Sequence, residues 1–416
     1  MIDLVFDACR AAGIGDVTVV ANPGQPEVMA HLDGRCRVVL QHEQRGTGHA
    51  LAQVPFEGGG AVLVLNADSP LIRAETIRKL VRAHAESGCV ATLASVEDPG
   101  RADGRIVRFP DGTLERIVED KDADAEVRRI QEFNVGLYCF DAEAVTAALG
   151  RLSPDNAAGE LYLTDVFKDL RPVQVIRLED AREAMGINDR VQLSRAEAAM
   201  RDRILQELML SGVTVVDPAS SFVEVGVKVG QDTILEPFTI LRGATSIGAG
   251  CQIGPYAQIT DSTIEDRCRV ERSWLNGCRV GEGSDCGPFS KLRPGAEIAA
   301  DVHVGSFAEI VRSRIGSGSA VPHFSYVGDA VVGERVNIGA GTVFVNYDGT
   351  AKHSTEVGDD AFIGSGTMLR APVKVGGGAR TGAGAVVTKD VESGETVVGV
   401  PARPMRRSPL RKAETR

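Results

Sequence analysis

From about Phe222 to Val400 an aliphatic residue followed by glycine recurs along the chain. The pairs are Ile247-Gly248, Ile253-Gly254, Val280-Gly281, Val304-Gly305, Ile315-Gly316, Val332-Gly333, Ile338-Gly339, Val357-Gly358, Ile363-Gly364 and Val375-Gly376. Consecutive pairs fall six residues apart at 247/253, 332/338 and 357/363. The aliphatic position also recurs without its glycine, at Ile259, Ile264, Val270 and Leu369. Each hexapeptide supplies one short strand and a corner, and three close a triangular coil. Stacked coils bury a continuous aliphatic core that no single coil could bury. The pattern predicts a left-handed parallel β-helix. At ~18 residues per coil and a ~4.8 Å spacing, about ten coils make a prism about 45–50 Å long. The period breaks near Asn276-Gly277 and between Tyr347 and Ser354. Both breaks predict loops thrown out from one edge, where functional groups tend to sit on a rigid scaffold.

The front of the chain follows a different rhythm. Asp3 to Ala12 reads as helix, and GDVTVVA and VVLQHE read as strands. A Gly-Thr-Gly turn leads into the helical HALAQV, and AVLVLNAD is an apolar strand that ends on an acid. AETIRKLVRAHAESG has the amphipathic period of a helix, and CVATLASV is a further strand. Alternation of this kind predicts an α/β domain with a largely parallel sheet. Ligands bind at the carboxyl ends of such strands, which is where Asp68 and Gly46-Thr47-Gly48 fall. A long charged helix, DRVQLSRAEAAMRDRILQELML, closed by Ser211-Gly212, then joins the halves. The predicted domains are 1–188, a linker helix over 189–211, and 212–416.

Composition narrows the function classes. The chain has 416 residues and 43% hydrophobic content, enough for ordinary cores. A net charge of −11 argues against a nucleic-acid partner but permits nucleotide and sugar-phosphate substrates. The eight cysteines include no C-x-x-C pair, which suits reduced thiols in a cytoplasmic protein. No apolar run approaches the ~20 residues of a membrane span. The basic tail RPMRRSPLRKAETR reads as a solvated, frayed end.

A set of motifs then points to a family. They are LQHEQRGTGHA, LNADSP, DGRIVR, IVEDKDA, EFNVGLY and GINDR in front, and GPFSKLRPGAE, HVGSFAEI, HFSYVGDA, VNIGAGTVFVNYDGT and FIGSGTM in the repeats. Together they resemble the bifunctional N-acetylglucosamine-1-phosphate uridylyltransferase/glucosamine-1-phosphate N-acetyltransferase family along nearly the whole chain. The resemblance implies a nucleotidyltransferase domain, Rossmann-like, followed by the β-helix. It implies acetyl transfer from acetyl-CoA to glucosamine 1-phosphate and uridylyl transfer from UTP to N-acetylglucosamine 1-phosphate, with Mg2+, in a cytoplasmic homotrimer. Members of that family open with a strand and a Gly-rich loop, L-A-A-G-x-G-T-R-M, followed by a Lys. The sequence as given starts at Met1-Ile2-Asp3, which matches the helix after that loop. Either the loop is absent or the start codon lies further upstream, and the sequence leaves both open. The chain as written is expected to release little pyrophosphate from UTP.

The resemblance also implies site residues. Asp68 and Asn188 match the metal ligands, and a carboxylate oxygen suits a hard cation. On spacing alone Asp68 reads as well as a turn acid after a strand. Gln41, Gly46 and Thr47 match the uracil-reading segment, and Gly104, Glu119 and Asn134 match the positions that hold the sugar. Ala67 stands where glycine is usual. In the repeats His323 matches the general base, with Glu309 expected to orient the imidazole. Acetyl transfer needs a neutral amine, and imidazoles, which titrate near ~6.5, accept protons at neutral pH. A lone histidine at a coil corner would be structural, and the neighbouring matches weigh against that. Arg293, Tyr326 and Asn337 match sugar-phosphate contacts, a guanidinium fork suiting phosphate. Ala340, Asn346, Tyr347, Ser365 and Ala383 match acetyl-CoA contacts, and Lys352 a loop cation near CoA phosphates. Val311, Ala320 and Pro322 replace a Lys, a Lys and a Gly. Arg312 is next to the first, but neighbours on a strand face opposite ways. Arg403 is near, but not aligned with, the family's C-terminal basic residue. Two other readings stay open. One is a non-catalytic trimeric scaffold or regulator, favoured by the missing loop and Val311. The other is an acyltransferase for another amino sugar.

Overall fold

A computed structural model describes residues 1–56, 59–98 and 103–405, so most of the basic tail lies outside the described residues. The chain divides into two compact units, Met1–Met200 and Arg201–Arg416, and the helix Arg190–Leu210 runs across the division. No described helix is long and apolar enough to cross a membrane.

The first unit opens on the helix Ile2–Ala11, and the expected strands and helices follow at Thr18–Ala21, Arg37–Leu40, Thr47–Ala52, Ala61–Leu65, Ala74–Ser87 and Ala91–Glu97. The helix Ala74–Ser87 stops where Gly88 takes a left-handed backbone, φ +64, the usual device for ending a helix. The sheet is mixed, which corrects the expectation of a largely parallel one. The strand Glu132–Asp141 lies antiparallel to both Ala61–Leu65 and Ala91–Glu97. The strand Val173–Arg177 pairs parallel with Ala91–Glu97, and Thr18–Ala21 with Arg37–Leu40 in a separate two-stranded sheet. Strand direction depends on how the connecting chain returns, and the long segment before Glu132 carries no hydrophobic period that records its path. Apolar side chains pack on both sides of this sheet. Leu93, Phe140 and Phe167 are buried on one side, and Ile77, Leu80 and Phe133 on the other.

The second unit is the left-handed β-helix, three parallel faces of short strands. We number the faces in chain order. The first begins at Thr214–Val215, the second at Phe222–Val223 and the third at Lys228–Val229. Residues stacked on adjacent coils are typically 17 apart in sequence, as Arg312 and Asp329 are. The spacing widens to 25 between Glu334 and Asp359, where the loop from Asn346 to Ser354 is inserted. That loop is the predicted break. The other break, at Asn276-Gly277, throws out nothing. Gly277 turns the corner at φ +58 and the coil simply shortens.

The core of the prism is a column of aliphatics such as Ile259, Leu275, Leu292, Ile310, Val327 and Leu369, with Phe344 fully buried among them. Small hydroxyl residues fill the corners and donate to carbonyls there. Thr239 donates to the Glu236 carbonyl at 2.7 Å, Ser290 to Gly305 at 2.6 Å and Thr342 to Gly339 at 2.6 Å. These three hydroxyls are thereby satisfied, as burial demands, whereas the buried Thr355 Oγ1 has no partner among the described residues. Phe344→Ala should leave a cavity that stiff coils cannot close. We expect a loss of about 3–5 kcal/mol in the urea unfolding of the β-helix; a loss below about 1 kcal/mol would show that the coils do relax.

Candidate functional site

The corner between the first and second faces lies between Ala320–His323 and Tyr326–Gly328. Four aromatic residues turn this corner on earlier coils with left-handed backbones: Phe238, Tyr256, Phe289 and Phe307. They are exposed and stack in pairs, Phe238 on Tyr256 at 4.7 Å and Phe289 on Phe307 at 5.2 Å. Phe324 is next in the column, 62% exposed. Beyond it the column changes to Gly341, Gly366 and Gly384, and a Cβ on Gly341 would come within 3.1 Å of the Phe324 ring. The aromatic ridge therefore ends with the Phe324 ring over Gly341 and gives way beyond it to a trough without side chains at Gly366 and Gly384.

Backbone bonds place the neighbouring column along that trough. Phe324 N–H donates to the Ser306 carbonyl at 2.8 Å, Gly341 N–H to His323 at 3.3 Å, Gly366 N–H to Ala340 at 2.7 Å and Gly384 N–H to Ser365 at 2.8 Å. Ser306, His323, Ala340, Ser365 and Ala383 thus stand one above another. His323 is exposed, and its carbonyl also accepts from Ser325 Oγ at 2.8 Å, so the imidazole projects from a fixed backbone. Asn337 and Tyr326 sit on the two faces that meet at this corner.

On the second face Glu309 and Tyr326 are register partners. Glu309 is joined to Arg293, with Nη1 to Oε1 at 2.8 Å, and no hydrogen bond links it to His323 among the described residues. The expectation that Glu309 orients the imidazole is not met in this structure, because the guanidinium is the stronger partner within reach. Val311 is buried at 2% exposure and in register with Gly328. Arg312 turns away from it at φ +45 and binds Asp329 through Nε and Nη2, at 2.6 and 2.9 Å. Asp329 also accepts from Asn346 Nδ2 at 2.5 Å, and that nitrogen lies 3.4 Å from the Tyr326 hydroxyl. Tyr347 is exposed and donates to the Gly349 carbonyl at 2.7 Å, pairing across the loop with Lys352. Gly328 and Asp329 were not singled out by sequence, and Arg312 was weighed only as a neighbour of Val311. The signal lay in HFSYVGDA, whose last residues turn the next corner.

In the first unit the structure gathers two groups. Asp68 follows the strand Ala61–Leu65, and its carbonyl accepts from Ile187 N–H at 3.1 Å, which brings Asn188 alongside. Burial raises the Asp68 pKa, with the Asp103 carboxylate adding to it. Among the described residues the Ser69 hydroxyl, at 3.5 Å, and the Asp68 backbone N–H face its carboxylate. A half-buried carboxylate is the oxygen donor a hard divalent ion takes, and no salt bridge occupies Asp68 among the described residues. In the second group Asn134 N–H donates to the Gly104 carbonyl at 2.8 Å, and a Cβ on Gly104 would lie 3.2 Å from both Glu119 carboxylate oxygens. Burial raises the Glu119 pKa although Thr164 donates to it at 2.8 Å. Gln41 gives its amide to the Gly46 carbonyl at 3.1 Å and to His49 at 3.0 Å. Gly46 needs its glycine, because a Cβ would meet the Leu161 carbonyl at 2.6 Å, and Thr47 Oγ1 accepts from Leu163 N–H.

These two halves have counterparts among known proteins. Residues 1–158 match the MobA-like NTP transferase domain, and residues 354–389 match the bacterial transferase hexapeptide of six repeats. The bifunctional protein GlmU of Heliobacterium modesticaldum is 47% identical over 407 residues, covering 96% of this chain and 89% of that protein. That of Desulfitobacterium hafniense strain DCB-2 is 46% identical over 399 residues, 94% of this chain and 88% of its own. That of Corynebacterium diphtheriae is 43% identical over 406 residues, 93% and 84%. With identity at this level across both units, the chain belongs to the family of bifunctional GlmU proteins.

Proposed function

We propose that this chain makes UDP-N-acetylglucosamine in two transfers, with the work divided over 1–188 and 212–416 and the helix of 189–211 between them. The β-helix acetylates glucosamine 1-phosphate from acetyl-CoA. The first domain is the one that, with the Gly-rich loop preceding it, joins N-acetylglucosamine 1-phosphate to the uridylyl group of UTP and releases pyrophosphate. The observation that carries the first reaction is the column of Ser306, His323, Ala340, Ser365 and Ala383 beside a glycine-floored trough. A pantetheine arm fits along small residues, and its thioester then ends at the imidazole. The sugar amine attacks the thioester carbonyl, His323 takes the amine proton, and the C–S bond breaks to leave acetamide and CoA thiol. Arg293 and Tyr326 hold the sugar phosphate, with Asn337 across the corner. Asn346, Tyr347 and Lys352 meet the CoA. Glu309 serves by holding Arg293 in place.

In the first domain Asp68 and Asn188 hold Mg2+, which would offset charge on the nucleotide phosphates. Gln41 and the turn at Gly46-Thr47 face the base, and Gly104, Glu119 and Asn134 face the sugar. The eight cysteines are all free thiols, which suits the reducing cytoplasm.

The exposed aromatic ridge favours a homotrimer over a lone chain. Five exposed rings stand in one column, broken only by Arg272 between Tyr256 and Phe289, and exposed apolar strips of this kind mark contact surfaces. A second prism laid against this corner would cover the ridge and wall the trough. Light scattering should give three chains per particle, and Phe289→Glu with Phe307→Glu should shift it toward monomer; a monomeric parent chain would remove the proposal.

For catalysis, His323→Ala should slow thiol release from acetyl-CoA in the presence of glucosamine 1-phosphate by ~10²–10⁴. Equal rates for parent and variant would dismiss His323 as the base. No turnover with any amino sugar phosphate would favour the scaffold reading instead.

A further inference from the structure

We propose that Asp329 is a positioning residue for the acetyl acceptor: it fixes the Asn346 amide and so leaves the Tyr326 hydroxyl to donate its hydrogen to an oxygen of the sugar phosphate. The proposal rests on the acetyl-transfer reading above.

The argument starts from the charge of Asp329. Its carboxylate receives two bonds from the Arg312 fork, at 2.6 and 2.9 Å, and one from Asn346 Nδ2 at 2.5 Å. The Arg312 guanidinium first, and the Asn346 amide with it, hold the carboxyl below its usual range against some burial. An ionised carboxylate can only accept. Asn346 must therefore present its nitrogen to it, and the direction of that amide follows from charge.

The same nitrogen approaches the Tyr326 hydroxyl oxygen at 3.4 Å. An amide nitrogen has two hydrogens and no lone pair to offer. One hydrogen goes to Asp329 and the other faces Tyr326, so the hydroxyl accepts on this side and its own hydrogen points elsewhere. Among the described residues no acceptor takes that hydrogen. A ligand oxygen is the partner left for it, and a phosphate oxygen would be a strong one.

Gly328 is independent evidence that this convergence is built. Its φ lies outside the left-handed region, so its backbone does not call for glycine. A Cβ there would stand 2.6 Å from both Asn346 Nδ2 and Tyr326 Oη. The missing side chain gives room for two others to cross. Val311, its register partner on the preceding coil, brings no charge, and Arg312 is spent on Asp329. On this face the cations are then Arg293 and Lys291, the latter turned over the Trp274 ring, and phosphate recognition nearest the acceptor falls to Arg293 and the Tyr326 hydroxyl.

The test compares the full chain with Asp329→Asn, Tyr326→Phe and the double variant. We expect the KM for glucosamine 1-phosphate to rise about tenfold in each single variant, as losing one hydrogen bond to a charged group would do. The double variant should rise no further, because both changes remove one interaction. In Tyr326→Phe the acetyl-CoA KM and kcat should stay within about twofold, a split that loss of folded protein would not produce; in Asp329→Asn, which also releases Asn346, the acetyl-CoA KM should rise as well while kcat stays within about twofold. Gly328→Ala, which leaves every charge in place, should reproduce the KM rise and guards against a misfolded Asp329 variant. An unchanged KM in Asp329→Asn, or multiplying effects in the double variant, would overturn the proposal. Amide hydrogen exchange over 346–353 gives a readout that needs no turnover, and it should quicken in Asp329→Asn. If the parent chain acetylates nothing, the functional reading falls, and unchanged exchange in this loop would then separately refute the positioning role.

Discussion

A hexapeptide coil has too little apolar surface to stand alone, and everything in the second unit follows from that constraint. Coils must stack, and stacking in parallel fixes equivalent residues at a strand spacing of ~4.8 Å. Residues 17 apart in sequence become neighbours, as Arg312 and Asp329 do. A site can then be assembled from several coils with little further conformational freedom to lose. The Arg293–Glu309 pair, the Asp329–Asn346 bond and the His323–Ala340–Ser365 column all arise this way. Corner hydroxyls such as Ser325 add to the rigidity by bonding the carbonyls of the residues that carry the chemistry.

The stacking rule also explains which parts of the structure were legible in the sequence. Aliphatic residues at a period of six announce the prism, because only inward positions must be apolar. The insertion after Tyr347 was visible as a lost period. The break at Asn276-Gly277 looked the same in sequence, yet Gly277 only shortens a corner. A gap in a repeat reports that the register changed, and its length decides whether a loop results. The role of Gly328 was hidden for a related reason. Glycines at corners are common here, and nothing local distinguishes one that bends the chain from one that makes room for Tyr326 and Asn346.

The front domain was less legible. Its helices and strands announced themselves by period, but the antiparallel course of Glu132–Asp141 did not, since strand direction is settled by tertiary connection. Ile187, the residue before Asn188, bonds the Asp68 carbonyl through its backbone N–H, a contact no local pattern encodes. The expected Glu309–His323 hydrogen bond is absent among the described residues; Glu309 bonds the Arg293 guanidinium one coil away, a charge-assisted pair.

Acetyl transfer by this site requires that acetyl-CoA lie along the trough beyond His323. Ser365 stands in the middle of it, exposed and free of the core. Ser365→Trp should fill the trough without disturbing the coils. The steady-state KM for acetyl-CoA should rise at least about tenfold, with the KM for glucosamine 1-phosphate and the unfolding midpoint unchanged. An acetyl-CoA KM equal to that of the parent chain would place the cofactor elsewhere and contradict the account.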